Sequence, residues 1–281
     1  MPHALETLVF YNGNLTGSTT FDTLTVVPAG GATIRATVGD SGVFLEDIWA
    51  TDDDSAFQLS IKSPRMHDNV KGLLYAGTNL SVAVEQAFVP QTLMPGSTIQ
   101  RLYSTDVLSV TANGTAADVF QATLNVRYEN LGGINARLYN WAVIEPLIVN
   151  KVGILTAPIP SGTAGAIGAG YVLNSGDNRL HANTDYAILG WTCSRTVGAV
   201  VLNGIDLGNL NVGGPGGYSS EITSNFFVDS DSKYGIPHIP VINSNNAGGI
   251  TVAIADILTS GTPNVTIQMA QLSQKLPQPS P

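Results

Sequence analysis

Charge is scarce in this chain. Asp, Glu, Lys and Arg make up 12% of its 281 residues, about half the usual share of a soluble globular domain. The balance is acidic, with 21 carboxylates against 12 Lys and Arg and a net charge of −9. Wrapping nucleic acid needs clustered cations that release counterions, so this balance argues against direct, sequence-specific nucleic-acid binding. Cysteine is nearly absent. Cys193 alone excludes an intramolecular disulfide, a Cys-rich zinc site and a CxxC redox pair. Set in the apolar run 186–193, it reads as a buried structural thiol. The four histidines, His3, His67, His181 and His238, show no HxH, HxxxH or HExxH spacing and read as structural or surface residues. No apolar run reaches the roughly 18 residues of a membrane helix. The stretch Met1–Thr7 has neither a basic n-region nor an apolar h-region, so no secretory signal is expected.

What is present is apolar and glycine-rich: 43% hydrophobic residues, 30 Gly and 15 Pro. That is enough for a real core and too much for wholesale disorder. The length suits one large domain or two of roughly 140 residues. A weakly charged, Gly-rich surface suits a protein whose flanks are covered by copies of itself. The texture is all-β. Short Val/Ile/Leu/Thr/Phe runs such as 23–27, 56–61, 108–111, 122–128, 199–202 and 265–269 alternate with turn signals. Helical pattern is confined to 138–146, stopped by Pro146, and to Ser220–Val228. The segment 276–281, Leu-Pro-Gln-Pro-Ser-Pro, reads as an extended or disordered tail.

The two halves resemble each other. The run ending at Trp49 has a counterpart ending at Trp191, 142 residues on, and Leu108 answers Ile250 at the same offset. Pro95 pairs with Pro237, again at 142, and the runs 123–131 and 264–272 pair at 141. Leu59–Pro64 pairs with Leu210–Pro215 at 151, which implies a nine-residue insertion balanced by a later deletion. A duplicated unit of about eight short strands closes its edges as a barrel or as two packed sheets, most simply as a jelly roll. The expected organisation is a first jelly roll over residues 1–134, with an N-terminal arm, and a second over 135–281, with a Pro-rich C-terminal tail.

On these features, the paired Trp49 and Trp191, the LxφxxP elements and the closing strands, the chain resembles the double jelly-roll major capsid proteins of tailless icosahedral bacteriophages of the membrane-containing type. The resemblance covers roughly residues 20–275. It implies two tandem eight-stranded antiparallel jelly rolls, a homotrimer of pseudo-hexagonal outline, and lateral faces that tile an icosahedral shell. It also implies minor capsid or vertex proteins and an internal membrane as further partners, a place in the virion after assembly in the host cytoplasm, and terminal arms at Met1–Gly13 and Lys275–Pro281 that lock neighbours.

No motif points to catalysis. There is no Gly-x-Ser-x-Gly elbow. Asp52-Asp53-Asp54, with Glu46 and Asp47 nearby, offers carboxylate oxygens for a hard cation but lacks the Asp-x-Asp-x-Asp-Gly pattern and reads as a solvated loop; Asp229-Ser-Asp231 is a weaker version. Gly213–Gly217 lacks the Lys-Ser/Thr pair of a phosphate loop and reads as a flexible turn. Ser161–Gly170 reads as a loop whose small residues permit close subunit packing or simple flexibility. Trp49, Trp141 and Trp191 suit either a sugar-stacking surface or, better, core packing. The sequence therefore predicts a non-enzymatic viral structural protein with no catalytic, cofactor or metal residues. A surface fibre or lattice β-sandwich and a carbohydrate-binding or carbohydrate-cleaving β-sandwich are the competing readings.

Overall fold

The structure is a computed structural model that describes residues 2–27, 33–52, 56–78, 91–94, 99–156, 159, 162–173, 180–194, 197–216, 223–257 and 262–278. The first half supplies β1 (His3–Asn12), β2 (Asp22–Thr23), β3 (Thr25–Val27), β4 (Val43–Asp52), β5 (Ala56–Lys62), β6 (Leu73–Thr78), β7 (Gln91–Thr92), β8 (Gln100–Leu102), β9 (Ser109–Asn113) and β10 (Phe120–Glu129). The second supplies β11 (Leu138–Tyr139), α1 (Trp141–Ile144), β12 (Ile148–Leu155), β13 (Tyr171–Val172), β14 (Asp185–Cys193), β15 (Val197–Asn203), β16 (Val212–Gly216), α2 (Phe226–Tyr234), β17 (Ile239–Asn243), β18 (Thr251–Ala255) and β19 (Val265–Leu272).

These strands form four antiparallel sheets that pack as two sandwiches. In the first, β1-β10-β4-β7, with β3 and β8 added, faces β2-β9-β5-β6. In the second, β12-β19-β14-β17, with β11 added, faces β13-β18-β15-β16. The orders are the same once the added strands are removed. Each sandwich has its first strand beside its last in one sheet and its second strand beside its penultimate in the other, which is the jelly-roll arrangement. Register agrees as well: Ser60 on β5 opposes Thr111 on β9, and Val201 on β15 opposes Ala253 on β18, displaced by 141 and 142 residues.

Side-chain alternation explains why the sheets pack as they do. On β10, Phe120, Ala122, Leu124, Val126 and Tyr128 are fully buried and look into the first sandwich, where Phe120 meets Phe57 of β5 with ring centroids 5.1 Å apart. Between them Gln121, Thr123, Asn125 and Arg127 look out of it and are buried as well. A polar row buried on an outer face needs a second body against it; here that body is the second sandwich. Glu6, buried in the first sandwich, accepts from the exposed Arg35 at 2.6 Å and from the buried Tyr128 hydroxyl at 2.8 Å.

Several expectations are corrected. Leu59 lies on β5 and Leu210 just before β16; the counterpart of Leu59 is Val200, so the pairing at 151 and its nine-residue insertion fall away. Pro95 lies outside the described residues. Trp49 and Trp191 occupy corresponding strands, β4 and β14, but opposite faces. Trp191 looks into its own sandwich, where its Nε1 donates to the Pro215 carbonyl of the facing sheet at 3.1 Å. Trp49 opposes Thr123 on the outward row. Of the expected turn Gly213–Gly217, Gly217 lies outside the described residues and the rest belongs to the buried edge strand β16. Of the second helical candidate, residues 220–222 lie outside the described residues, and α2 runs from Phe226 to its end at Gly235, whose φ of +69° suits a glycine cap.

Neither terminal segment is a free arm within the described residues. His3–Asn12 is β1, paired with β10 along its whole length, because its apolar row belongs to the core. At the other end, the Leu276 N–H donates to Asp185 Oδ2 at 2.9 Å, and its carbonyl accepts from Arg137 Nη2 at 3.1 Å. Arg137 and Asp185 also form a buried ion pair, and the Tyr139 hydroxyl reaches the Pro277 carbonyl. The tail is strapped to the second sandwich through Pro277.

Candidate functional site: the junction of the two rolls

The outer face of β1, β10 and β4 packs against the outer face of β15, β16 and β18. Val9 meets Ala199, Val201 and Ala255 in a small apolar cluster closed by Ile167. Beside it the backbone itself is read. The Thr7 N–H donates to the Asn211 carbonyl at 2.6 Å, and the Gly213 N–H donates to Thr7 Oγ1 at 2.8 Å. Thr7 Oγ1 in turn donates to Asn125 Oδ1 at 2.8 Å, and Asn125 Nδ2 donates to the Gly213 carbonyl at 3.0 Å. Two glycines allow this approach. A Cβ at Gly198 would fall 2.1 Å from the Gln121 amide, and one at Gly165, where φ is +78°, would fall 2.8 Å from Tyr11. The small residues of 162–170 therefore serve close packing inside the chain.

Farther along the junction, α2 reaches from the second roll onto the first. Phe226 lies 5.6 Å from Trp49 and 5.0 Å from Trp191, ring to ring, and Phe227 packs edge-on to Trp191. At its other end Lys233 pairs with Asp47. The Tyr234 hydroxyl lies 2.6 Å from the Glu46 carbonyl and 2.7 Å from Asp47 Oδ1. His238 Nε2 lies 2.7 Å from Glu46 Oε2. Arg127 donates to the other Glu46 oxygen and, at 3.0 Å, to Glu129, with its guanidinium 4.5 Å above the Phe44 ring.

Burial shapes the titration of this cluster. Burial, with Arg127 adding to it, holds His3 below the usual histidine range. Burial raises the Asp47 carboxyl against the opposing pull of Lys233. It also raises the Tyr234 phenol far up, helped by Asp47. Burial pushes Glu129 up as well, but the Arg127 and Gly42 hydrogen bonds outweigh it and hold the carboxyl low.

The remaining residues of interest do not converge. His67 and His181 are exposed, His3 is half-buried and His238 is buried. Asp52 is buried at the end of β4, while Asp53 and Asp54 lie outside the described residues. Asp231 accepts from the Trp141 N–H at 3.0 Å and from Asn140, so it holds α1. Cys193 is half-buried at the end of β14. Among the described residues no group of three His, Cys, Asp or Glu side chains is placed to hold a metal ion. Trp49 and Trp191 are buried and Trp141 half-buried, so they present no stacking platform for sugar.

The charged junction has a trace in the sequence. Glu46 and Asp47 interrupt an apolar strand between Leu45 and Ile48, and Arg127 sits between Val126 and Tyr128. Charge at such positions ordinarily marks a water-facing row, and only the structure shows Glu46, Asp47 and Arg127 buried. Nothing in the spacing shows that Lys233, Tyr234 and His238 close over them.

No family model and no curated protein matches the chain. Among solved structures the chain is similar, at a distance, to the MCP of STIV, with 10% identity over 97% of each chain and a TM-score of 0.22. A structure of Sulfolobus Turreted Icosahedral Virus matches at 10% identity over 96% of this chain and 83% of the other, with a TM-score of 0.20. The T=1 particle of Penaeus vannamei nodavirus matches at 7% identity over 98% and 99%, with a TM-score of 0.21. Likenesses this remote assign the chain neither a family nor a function.

Proposed function

We propose that this chain is a non-enzymatic shell protein of an icosahedral virus, which assembles with copies of itself as a homotrimer of six-lobed outline. One observation supports this reading above the others: the two rolls dock head to tail. The β1-β10-β4 face of the first roll covers the β15-β16-β18 face of the second. The corresponding pair of faces is open in part, since residues 223–226 lie over β14 on the second roll. On the first roll, the outer face of β2-β9-β5-β6 exposes Phe21, Val70 and Leu74, at 41%, 75% and 58%, around a shallow depression of about 460 Å³. On the second, β12 exposes Val149 and Leu155, at 52% and 58%. A heterologous contact between unlike faces repeats from chain to chain and closes into a ring where the rotation permits. Three chains supply six rolls, and a six-lobed ring fills sixfold positions of a shell.

Vertex proteins and an underlying membrane are the further partners of this reading, and the virion is its location. Purified protein examined by size-exclusion chromatography and negative-stain microscopy tests it. Three-chain particles of hexagonal outline are expected. A persistent monomer overturns the shell reading, and open filaments favour a fibre or lattice subunit, in which the same contact fails to close.

A further inference from the structure

His238 sits in the junction with both ring nitrogens against oxygen. Nδ1 lies 2.8 Å from the Ile236 carbonyl, and Nε2 lies 2.7 Å from Glu46 Oε2. A carbonyl oxygen only accepts, and so does an ionised carboxylate; a neutral imidazole has a single N–H. Both contacts are satisfied together only when the His238–Glu46 pair carries one proton more than a neutral ring and a carboxylate. That proton is on the ring, as imidazolium, or on Glu46. The side chains are 3% and 1% exposed, so water does not make up the missing donor. Tyr234 stacks on the ring with centroids 5.3 Å apart, and Arg127 occupies the other Glu46 oxygen.

The surroundings call for the same proton. His3 from β1, Glu46 and Asp47 from β4, Arg127 and Glu129 from β10, and Lys233 and Tyr234 from α2 face or flank the ring. With His3 neutral, as its burial favours, the cations Arg127 and Lys233 stand against the carboxylates Glu46, Asp47 and Glu129. The additional proton brings the buried cluster to neutrality.

We propose that docking of the two rolls is proton-linked: the junction closes with this second proton held between His238 and Glu46, and loosens when rising pH removes it. Without it, a nitrogen lone pair faces either the Glu46 carboxylate across 2.7 Å or the Ile236 carbonyl across 2.8 Å in a site shut off from water. His3 works in the opposite sense, because charging it at low pH opposes docking, so measurements are repeated in His3→Asn.

The test is amide hydrogen exchange in the dilute full-length chain from about pH 5 to about pH 8, where histidine charge changes. The Thr7 and Gly213 amides, bonded across the junction, report its opening. Leu124, inside the first sandwich, is the reference. After correction for intrinsic rates, protection of the junction amides relative to Leu124 is expected to fall with rising pH, approaching about tenfold per pH unit for one released proton. In His238→Gln, which keeps a donor toward Glu46 and does not titrate, that slope is expected to vanish. An unchanged slope in the variant, or no slope in the wild-type chain, overturns the proposal. Should the variant fail to fold, nitrogen NMR of the wild-type His238 ring decides together with the wild-type slope. A ring with both nitrogens protonated, or Nδ1 protonated and Nε2 accepting from Glu46, agrees; a ring carrying its one proton on Nε2 in the closed junction contradicts it.

Discussion

Trp49 and Trp191 stand on corresponding strands of two duplicated sandwiches, look to opposite faces, and hold the ring of Phe226 between them. The centroid distances are 5.6 and 5.0 Å. One residue of α2 thus joins the core of the second roll to the outer face of the first.

Phe226→Ala empties that position between two rings that lack room to collapse. A loss of about 3–5 kcal/mol is expected, measured by denaturant unfolding, together with a red shift of tryptophan emission. A loss under about 1 kcal/mol would show that Phe226 merely covers the surface.

Gly190→Ala tests the route by which the chain reaches α2. An added Cβ would lie 2.0 Å from the Thr223 carbonyl and under 3 Å from the backbone of Ser224 and Phe226. Backbone cannot move aside as a flexible side chain does. Destabilisation of about 1–3 kcal/mol is expected, with exchange protection lost first along α2. Unaltered protection of α2 would contradict this packing.

The strap at Asp185 carries a pH dependence. Burial pushes its carboxyl up, but Arg137, the Leu276 N–H and Asn243 outweigh burial and hold it below the usual carboxylate range. A carboxyl lowered on folding adds stability that is present above its unfolded pKa of about 3.9 and is lost as pH falls through the folded value. Asp185→Asn leaves Arg137 buried without its countercharge, at an expected cost of about 3–5 kcal/mol near neutral pH. The gap to wild type should narrow as the solution is acidified below about pH 4. A gap that stays constant to low pH would remove Asp185 from the acid response.

Leu74→Asp and Leu155→Asp place charge on the two open faces. Each side chain is more than half exposed in the single chain, so stability should stay within about 0.5 kcal/mol. Oligomers should nonetheless disperse when the chromatogram is compared with wild type. Intact oligomers in both variants would show that the chains meet elsewhere.

Much of the architecture is legible in the residues. Alternation in 122–128 and 265–269 gives half-buried strands, and the offset of 142 between Leu108 and Ile250 finds corresponding strands, because strand positions survive duplication when identities do not. Leu59 and Leu210 look alike without corresponding, because Leu-x-φ patterns recur on several strands and only sheet partners tell one from another. The glycines of β16 suggest a turn locally. They are explained by neighbours within the second roll: an added Cβ would meet the Val200 backbone at Gly213, the Phe226 ring at Gly214 and Val197 at Gly216. The junction cluster is half legible: Glu46, Asp47 and Arg127 break apolar strands, whereas Lys233 and His238 join them only through the path of the chain after β16.

The most direct test of the head-to-tail account is a low-resolution density map of the assembled protein. The account predicts a threefold ring in which six similar lobes alternate, each chain contributing two neighbours, with the β5-β9 face of one chain against the β12-β19 face of the next. A ring in which like faces meet about twofold axes, or particles holding a single pair of lobes, would contradict it.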